Sequence, residues 1–342
     1  MSPLSRIVEI TEEGRHLSKD RGFLLVSAGR EEVGRVPLDD IGAVLATAKG
    51  TSVSVALLAA LAERGVPLVV PGANFQPVGL LWPLVSHHAQ QRRMAAQLER
   101  TRAIEKRLWA QVVTAKIRRQ GWALQAAGQP AGAFARLARQ VRAGDPDNLE
   151  AQAARRYWPL LLGKDFRRDT EAGGANALLN YGYAVLRAGV ARAIVAAGLH
   201  PGLGIFHRHP RNAMPLADDL MEPFRPIVDL EVRTLLSEGV KGVTIAAKRR
   251  LAGLLWRDEV SPAGTSPLST CLLRCAQSLA ESYLSGKAAL EFPILRLESS
   301  DDEARRAAKW VPGNVAGGNV RSAGTDQGSA SGGSEVSPVA AG

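Results

Sequence analysis

The chain has 342 residues, more than one hydrophobic core usually fills, so two folded domains are the default reading. Its apolar share of 46% is that of a globular protein and excludes a chain that is disordered throughout. The net charge of +10 points to a polyanionic partner, nucleic acid ahead of an anionic membrane.

In chain order, the start MSPLSRIVEI lacks the charged and apolar regions of a signal peptide. IVEI, GFLLVS, VGRVPL and IGAVL follow as short β-rich runs separated by turn residues. VSVALLAALAER has a helical period and stops at Gly65, a residue suited to the cap. VPLVV resumes as a buried strand, and after the turn PGAN the run FQPVGLLWPL closes the unit near Pro83. Glu63 and Arg64 interrupt the longest apolar stretch, so no membrane span is expected and the protein is read as soluble and cytoplasmic. Residues 1–85 therefore read as a small β-rich domain holding one helix.

From residue 86 the texture changes. The segment AQQRRMAAQLERTRAIEKRLWAQVVTAKIRRQGWALQ reads as one long helix, with Met94, Leu98, Ile104, Leu108, Val112 and Ile117 on its apolar side. Between Arg92 and Arg142 lie twelve basic residues against two acids, Glu99 and Glu105, which locates the charge excess of the whole chain. Arginine predominates there, and its planar fork suits phosphate oxygens, so backbone binding with a steep salt dependence is expected. Trp109 and Trp122 in the same segment read as helix-core residues before base-stacking ones. Further helices follow, including NLEAQAARRYWPLLLG, ANALLNYGYAVLRAGVARAIVAAG, a stretch from Pro215 interrupted near Pro223 and Pro226, and SPLSTCLLRCAQSLAESYLSG. Cys271 and Cys275, four apart in the last of these, read as small core residues rather than a redox pair. The fold class is α+β: a small N-terminal β-rich domain, then a larger all-α catalytic domain over residues 86–297. Residues 298–342 are Gly/Ser/Ala-rich and read as a disordered polar tail.

Two places carry the chemistry. In DNLEAQAARRYW, Asp147 or Asn148 can cap a helix and put Glu150 in its first turn, where a glutamate complements the helix dipole. Ala153 and Ala154 leave room beside it, which is compatible with a ligand site. In GIFHRHPRNAMPLADDLMEPFRP, His207 falls at the end of a turn, a position that on its own suits a surface histidine. Asp218 and Asp219 lie four and three residues before Glu222, so these acids can share a helix face, with Arg225 or a cation between them. An imidazole with two or more carboxylates, leaving open positions for phosphate oxygens, suits Mn²⁺ or Mg²⁺ in phosphodiester chemistry, and the imidazole tilts the choice towards Mn²⁺. The candidate phosphate contacts are Arg92, Arg93, Arg118 and Arg119, together with Arg155 beyond Glu150 and Arg225 beyond Glu222.

Taken together, NLEAQAARRYW, NALLNYGYAVLRAGVARAIVAAGLHPGLGIFH, PLADDLMEPFRPIVD and the front-end run GVPLVVPGANFQPVGLLWPL resemble the integrase-nuclease of CRISPR adaptation, the first-numbered CRISPR-associated protein. The resemblance covers about residues 5–297, and PLADDLMEPFRP is most similar to the forms of type II systems. It implies a metal site of Glu150, His207 and Glu222 that binds Mg²⁺ or Mn²⁺, with Asp218 and Asp219 in support and no role for His209. The stretch RHPRNAMP departs from the family pattern. The implied activity is insertion of short duplex DNA, new spacers, into a CRISPR array by attack of a 3′-hydroxyl on a phosphodiester at the repeat border. With water as the nucleophile, the same site would be an endonuclease. The implied partners are double-stranded DNA, a second copy of the chain through the β-rich domain, the small ferredoxin-like second-numbered CRISPR-associated protein, and the adaptation and effector proteins of a type II system. The competing readings are a non-catalytic DNA-binding scaffold and a repair nuclease for branched DNA.

Overall fold

The computed structural model describes residues 6–46, 48, 50–71, 77–81, 83–84, 87–261 and 264–293. The expected polar tail and most of the expected PGAN turn lie outside them. The chain opens with strands β1 (Arg6–Ile10), β2 (Arg15–Asp20), β3 (Phe23–Ala28), β4 (Glu31–Pro37), β5 (Ile41–Ala46) and β6 (Ser52–Val53). Helix α1 (Val55–Glu63), β7 (Leu68–Pro71) and β8 (Pro77–Leu81) complete this part. One sheet has the order β4-β3-β2-β6, the other β1-β5-β7-β8. Two-residue turns join β2 to β3 and β3 to β4. The first needs positive φ at both Arg21 (42°) and Gly22 (87°), the geometry that matches the twist of paired antiparallel strands. Ser54 caps α1 by accepting from the Leu57 amide at 3.3 Å, and Gly65 ends it at φ 65°.

Strand β2 was not among the expected elements. RHLSKD is too polar to read as a strand, but only Leu17 is buried, because one face of this sheet meets solvent. β5 shows the opposite case. IGAVLA is buried almost throughout, with parallel neighbours β1 and β7 on either side. Ile41 and Val44 join Leu17, Leu24, Leu57 and Leu61 in one small core, whereas Ala43 and Leu45 pack into the large core of the helices. Glu9 of β1 also accepts from the Tyr181 hydroxyl and pairs with Lys248 at 3.6 Å, so the sheet is a platform for the helices.

The helices are α2 (Gln90–Leu98), α3 (Arg102–Ala126), α4 (Gly132–Gln140), α5 (Leu149–Leu162), α6 (Ala175–Ala196), α7 (Pro215–Met221), α8 (Arg225–Ser237), α9 (Ile245–Gly253) and α10 (Leu268–Ser285). The long first helix expected from the sequence is two. Thr101 ends the run: its Oγ1 accepts from the Ile104 amide at 3.4 Å and starts α3, which leaves Leu98 exposed. Ile104, Leu108, Val112 and Ile117 then line the core as the period requires, and Trp109 is buried among them. The helical part is not purely α. A hairpin of β9 (Asp258–Ser261) and β10 (Gly264–Pro267) precedes α10, and Cys271 and Cys275 are free and buried. The break near Pro223 is a single 3-10 turn, Glu222–Phe224, between α7 and α8. Among the described residues no helix is long and apolar enough to cross a membrane.

Candidate metal centre

The first turn of α5 is fixed from two sides. Asn148, in the left-handed region at φ 50°, caps the Ala151 amide, and the Asp145 carboxylate accepts from the amides of Leu149 and Glu150 at 2.9 and 3.1 Å. This sets the direction of the Glu150 side chain, whose Oε1 lies 2.6 Å from Lys116 Nζ on α3.

The loop between α6 and α7 is organised by a single acid. Asp219 is fully buried and accepts three consecutive amides, from Ile205 (2.6 Å), Phe206 (2.9 Å) and His207 (3.2 Å). Its Oδ1 also lies 2.6 Å from His207 Nδ1. Gly204 makes this wrapping possible. A Cβ there would sit 2.5 Å from the His207 carbonyl oxygen and 3.0 Å from Asp219 Oδ2. From the other side, the buried Gln97 of α2 donates to the carbonyls of His200 and Leu203 and accepts from the His200 amide. The imidazole stands edge-on to Trp109, which stacks face to face on the half-exposed Phe206 at 4.3 Å. With Nδ1 engaged by Asp219, Nε2 is left without a hydrogen-bond partner among the described residues. The hydrogen bond to Asp219 raises the His207 pKa, burial opposes it, and the fields of Glu222 and Glu150 add to the rise. The imidazole therefore feels both carboxylates.

Glu222 is buried at the 3-10 turn. Its Oε1 lies 3.0 Å from Arg225 Nε and its Oε2 lies 2.6 Å from Lys116 Nζ, yet Oε2 has no well-directed hydrogen bond. Burial acts against its charge, but Arg225 and Lys116 more than offset this and hold the carboxyl below the usual range. The same balance acts on Lys116. Burial disfavours the ammonium, and Glu222 and Glu150 outweigh that and raise its pKa. A single ammonium thus joins the two carboxylates named from the sequence, and their fields reach the imidazole of the third named group.

Among the described residues no three His, Cys, Asp or Glu side chains stand ready as a metal-holding cluster. Between Glu150 and Glu222 stands a cation of the protein's own, Lys116. One observation nevertheless fits a divalent ion: the carboxylates of Glu150 and Glu222 converge on one positive charge. The donor set of two carboxylates and one imidazole is that of Mn²⁺ or Mg²⁺ sites.

The other named residues separate. Asp218, Asp219 and Glu222 do not form one acidic face. Asp218 pairs with Arg187 at 2.7 Å and accepts from Asn212 at 2.7 Å, whereas Asp219 turns into the loop. Arg119 leaves the set of phosphate contacts because it is buried in an ion pair with Glu259 at 2.9 Å. Arg93 is likewise spent on Glu281 (2.8 Å) and the Ala197 carbonyl (3.1 Å), with little of its side chain exposed. Arg92, Arg118 and Arg155 are exposed, and Arg225 is committed to Glu222 and lies over the Tyr183 ring at 4.7 Å.

Three buried groups behind the site had no sequence signal. Tyr157, two turns after Glu150 on α5, donates to Asp229 Oδ2 at 3.0 Å, and Tyr183 donates to Oδ1. Burial pushes Asp229 up, the two tyrosines work against it, and its pKa lies at about 7. A carboxyl raised in the folded state supports stability fully below its ordinary pKa of 3.8 and loses that contribution as pH rises through about 7. The stability of the natural protein relative to Asp229→Asn should therefore fall by about 2 kcal/mol between pH 5 and pH 8. Urea unfolding of both proteins at the two pH values checks this, and parallel pH dependences would refute it.

Residues 8–242 match the protein family described as CRISPR associated protein Cas1. A CRISPR-associated endonuclease Cas1 of Neisseria meningitidis serogroup C (strain 8013) is 39% identical over 232 residues, which are 67% of this chain and 76% of that protein. Among solved structures, a casposase bound to its integration product superposes with a TM-score of 0.70 at 21% identity, covering 89% of this chain and 99% of that one. A chain of a Cas6-RT-Cas1–Cas2 complex superposes with a TM-score of 0.68 at 17% identity, covering 86% of this chain and 36% of that one.

Proposed function

The chain belongs to the Cas1 family, and from that premise we propose that it is a metal-dependent DNA integrase and endonuclease of CRISPR adaptation. The observation that carries this reading is the meeting of Glu150 and Glu222 on one positive charge, with the His207 imidazole, held by Asp219, within reach of their fields. Glu150, Glu222 and His207 Nε2 would hold Mn²⁺ or Mg²⁺. Once bound there, the ion would stabilise charge on the transferring phosphate and on the attacking and leaving oxygens.

The residues of the chain supply the rest. Asp219 keeps the proton of His207 on Nδ1, so that Nε2 offers its lone pair to the site. Arg225 neutralises Glu222 from behind, and its contact with Tyr183 fixes it there. The exposed Arg92, Arg118 and Arg155 would lie along the DNA backbone and position it without reading its sequence. The reaction exchanges one phosphodiester for another when a 3′-hydroxyl attacks, so it needs no high-energy cofactor. Attack by water at the same phosphorus would give cleavage. We assign the metal site and DNA binding to residues 86–297 and dimerisation to residues 1–85. The partners are duplex DNA, a second copy of the chain and a Cas2-type protein, in the cytoplasm of a prokaryote and with the other adaptation and effector proteins of a type II system.

A joining assay tests this. It combines a short duplex bearing free 3′-hydroxyl ends, a supercoiled plasmid carrying a CRISPR repeat, a Cas2-type partner and Mn²⁺. Covalent joining that needs Mn²⁺, stops in EDTA and concentrates at the repeat border is expected. DNA binding without any joined or cleaved product would leave a scaffold, and cleavage restricted to branched substrates would leave a repair nuclease.

A further inference from the structure

A lysine is rarely buried unless it is paired, and Lys116 is paired twice. Its Nζ lies 2.6 Å from Glu150 Oε1 and 2.6 Å from Glu222 Oε2, with 14% of the side chain exposed. It rises from α3 between Val112, Val113 and Ile117, all fully buried. This is the space that a divalent ion bound by both carboxylates would have to enter. An ammonium and a divalent cation cannot share it: both would contact the same oxygens, and like charges at that range repel strongly.

We propose that Lys116 is a resident cation that competes with the divalent ion for Glu150 and Glu222, holding the two carboxylates together until the ion displaces it. The inference rests on the metal-site reading above and concerns a residue outside the ligand set. Without Lys116, the buried Glu222 and the partly exposed Glu150 would face each other with less positive charge between them, and mutual repulsion would act on both. With it, the carboxylates stay preorganised, but the ion must evict an ion-paired ammonium before it binds.

The test is calorimetric titration of Mn²⁺ alone into EDTA-stripped, full-length protein, comparing the natural chain with Lys116→Met and Lys116→Arg. Methionine keeps the length of the stem and removes the charge; arginine keeps the charge. Lys116→Met is expected to bind Mn²⁺ at least tenfold more tightly than the natural chain, and Lys116→Arg no more tightly. A gain in affinity is a result that damage to the fold does not produce, so a purely structural role for Lys116 would not give it. Equal or weaker binding by Lys116→Met overturns the proposal, and so does tightening by both variants, which would rule out charge as the cause. Glu222→Gln in the same titration separates the two layers. If the natural chain binds Mn²⁺ and Glu222→Gln does not, the metal site stands, and only the role of Lys116 depends on the methionine variant. If neither the natural chain nor Lys116→Met takes up Mn²⁺ in a way that Glu222→Gln abolishes, the metal-site reading itself fails.

Discussion

Asp219→Ala should lose about 3 kcal/mol of stability and most of the DNA-joining activity, even though Asp219 touches neither DNA nor metal in this account. The carboxylate is fully buried and accepts three successive loop amides as well as the His207 ring. Each buried donor left without an acceptor costs about 1–3 kcal/mol, and the alanine variant orphans several at once. Asp219→Asn separates scaffolding from positioning. Its amide oxygen can still accept from Ile205 and Phe206, but its NH₂ then faces His207 Nδ1. The imidazole must accept at Nδ1 and carry its proton on Nε2, the wrong tautomer for a ligand. The asparagine variant is therefore expected to melt closer to the natural protein than the alanine variant does, while joining falls about 10–100-fold, the usual cost of losing such a support to a ligand. Melting curves and joining rates measured side by side check this. Full activity in a stable Asp219→Asn protein would show that His207 needs no orientation.

The second large effect is expected at Glu222. Glu222→Gln keeps the volume of the side chain and its place at the 3-10 turn, but removes one of the two charges that pair with Lys116 and would hold the metal. If the ion contributes about 4 kcal/mol of transition-state stabilisation, joining falls roughly 10³-fold. Binding of the same duplex should change little, because the exposed arginines proposed to contact the backbone are untouched. Parallel loss of DNA binding and joining would mean that Glu222 acts through the fold. Loss of joining alone places it at the chemistry.

How much of this was legible beforehand depends on sequence distance. Glu150, His207 and Glu222 were named from the resemblance, of which the structure joins Glu150 and Glu222 on Lys116, and the prolines after Glu222 announced the break between α7 and α8. The cap at Asn148 was readable because capping is local. Lys116 was not readable as part of the site. It lies 34 residues from Glu150 on a different helix, inside a run of basic residues that looked uniform. The same uniformity hid the difference between Arg118, which is exposed, and Arg119, whose partner Glu259 is 140 residues away. It also hid Thr101, since residues on both sides of it favour helix. RHLSKD failed as a strand because apolar alternation marks a strand only where a face is well buried. For Lys116 and Arg119 the local signal was correct as far as it went, and a long-range contact decided the outcome.

The central claim is that Glu150, His207 and Glu222 gather around one divalent ion. Crystals of the full-length protein soaked in Mn²⁺, with data collected at the manganese absorption edge, address it directly. The account predicts one anomalous peak in contact with a carboxylate oxygen of Glu150, a carboxylate oxygen of Glu222 and His207 Nε2, with Lys116 Nζ moved off both acids. A fully occupied manganese elsewhere, with Lys116 still bridging Glu150 and Glu222, would contradict it.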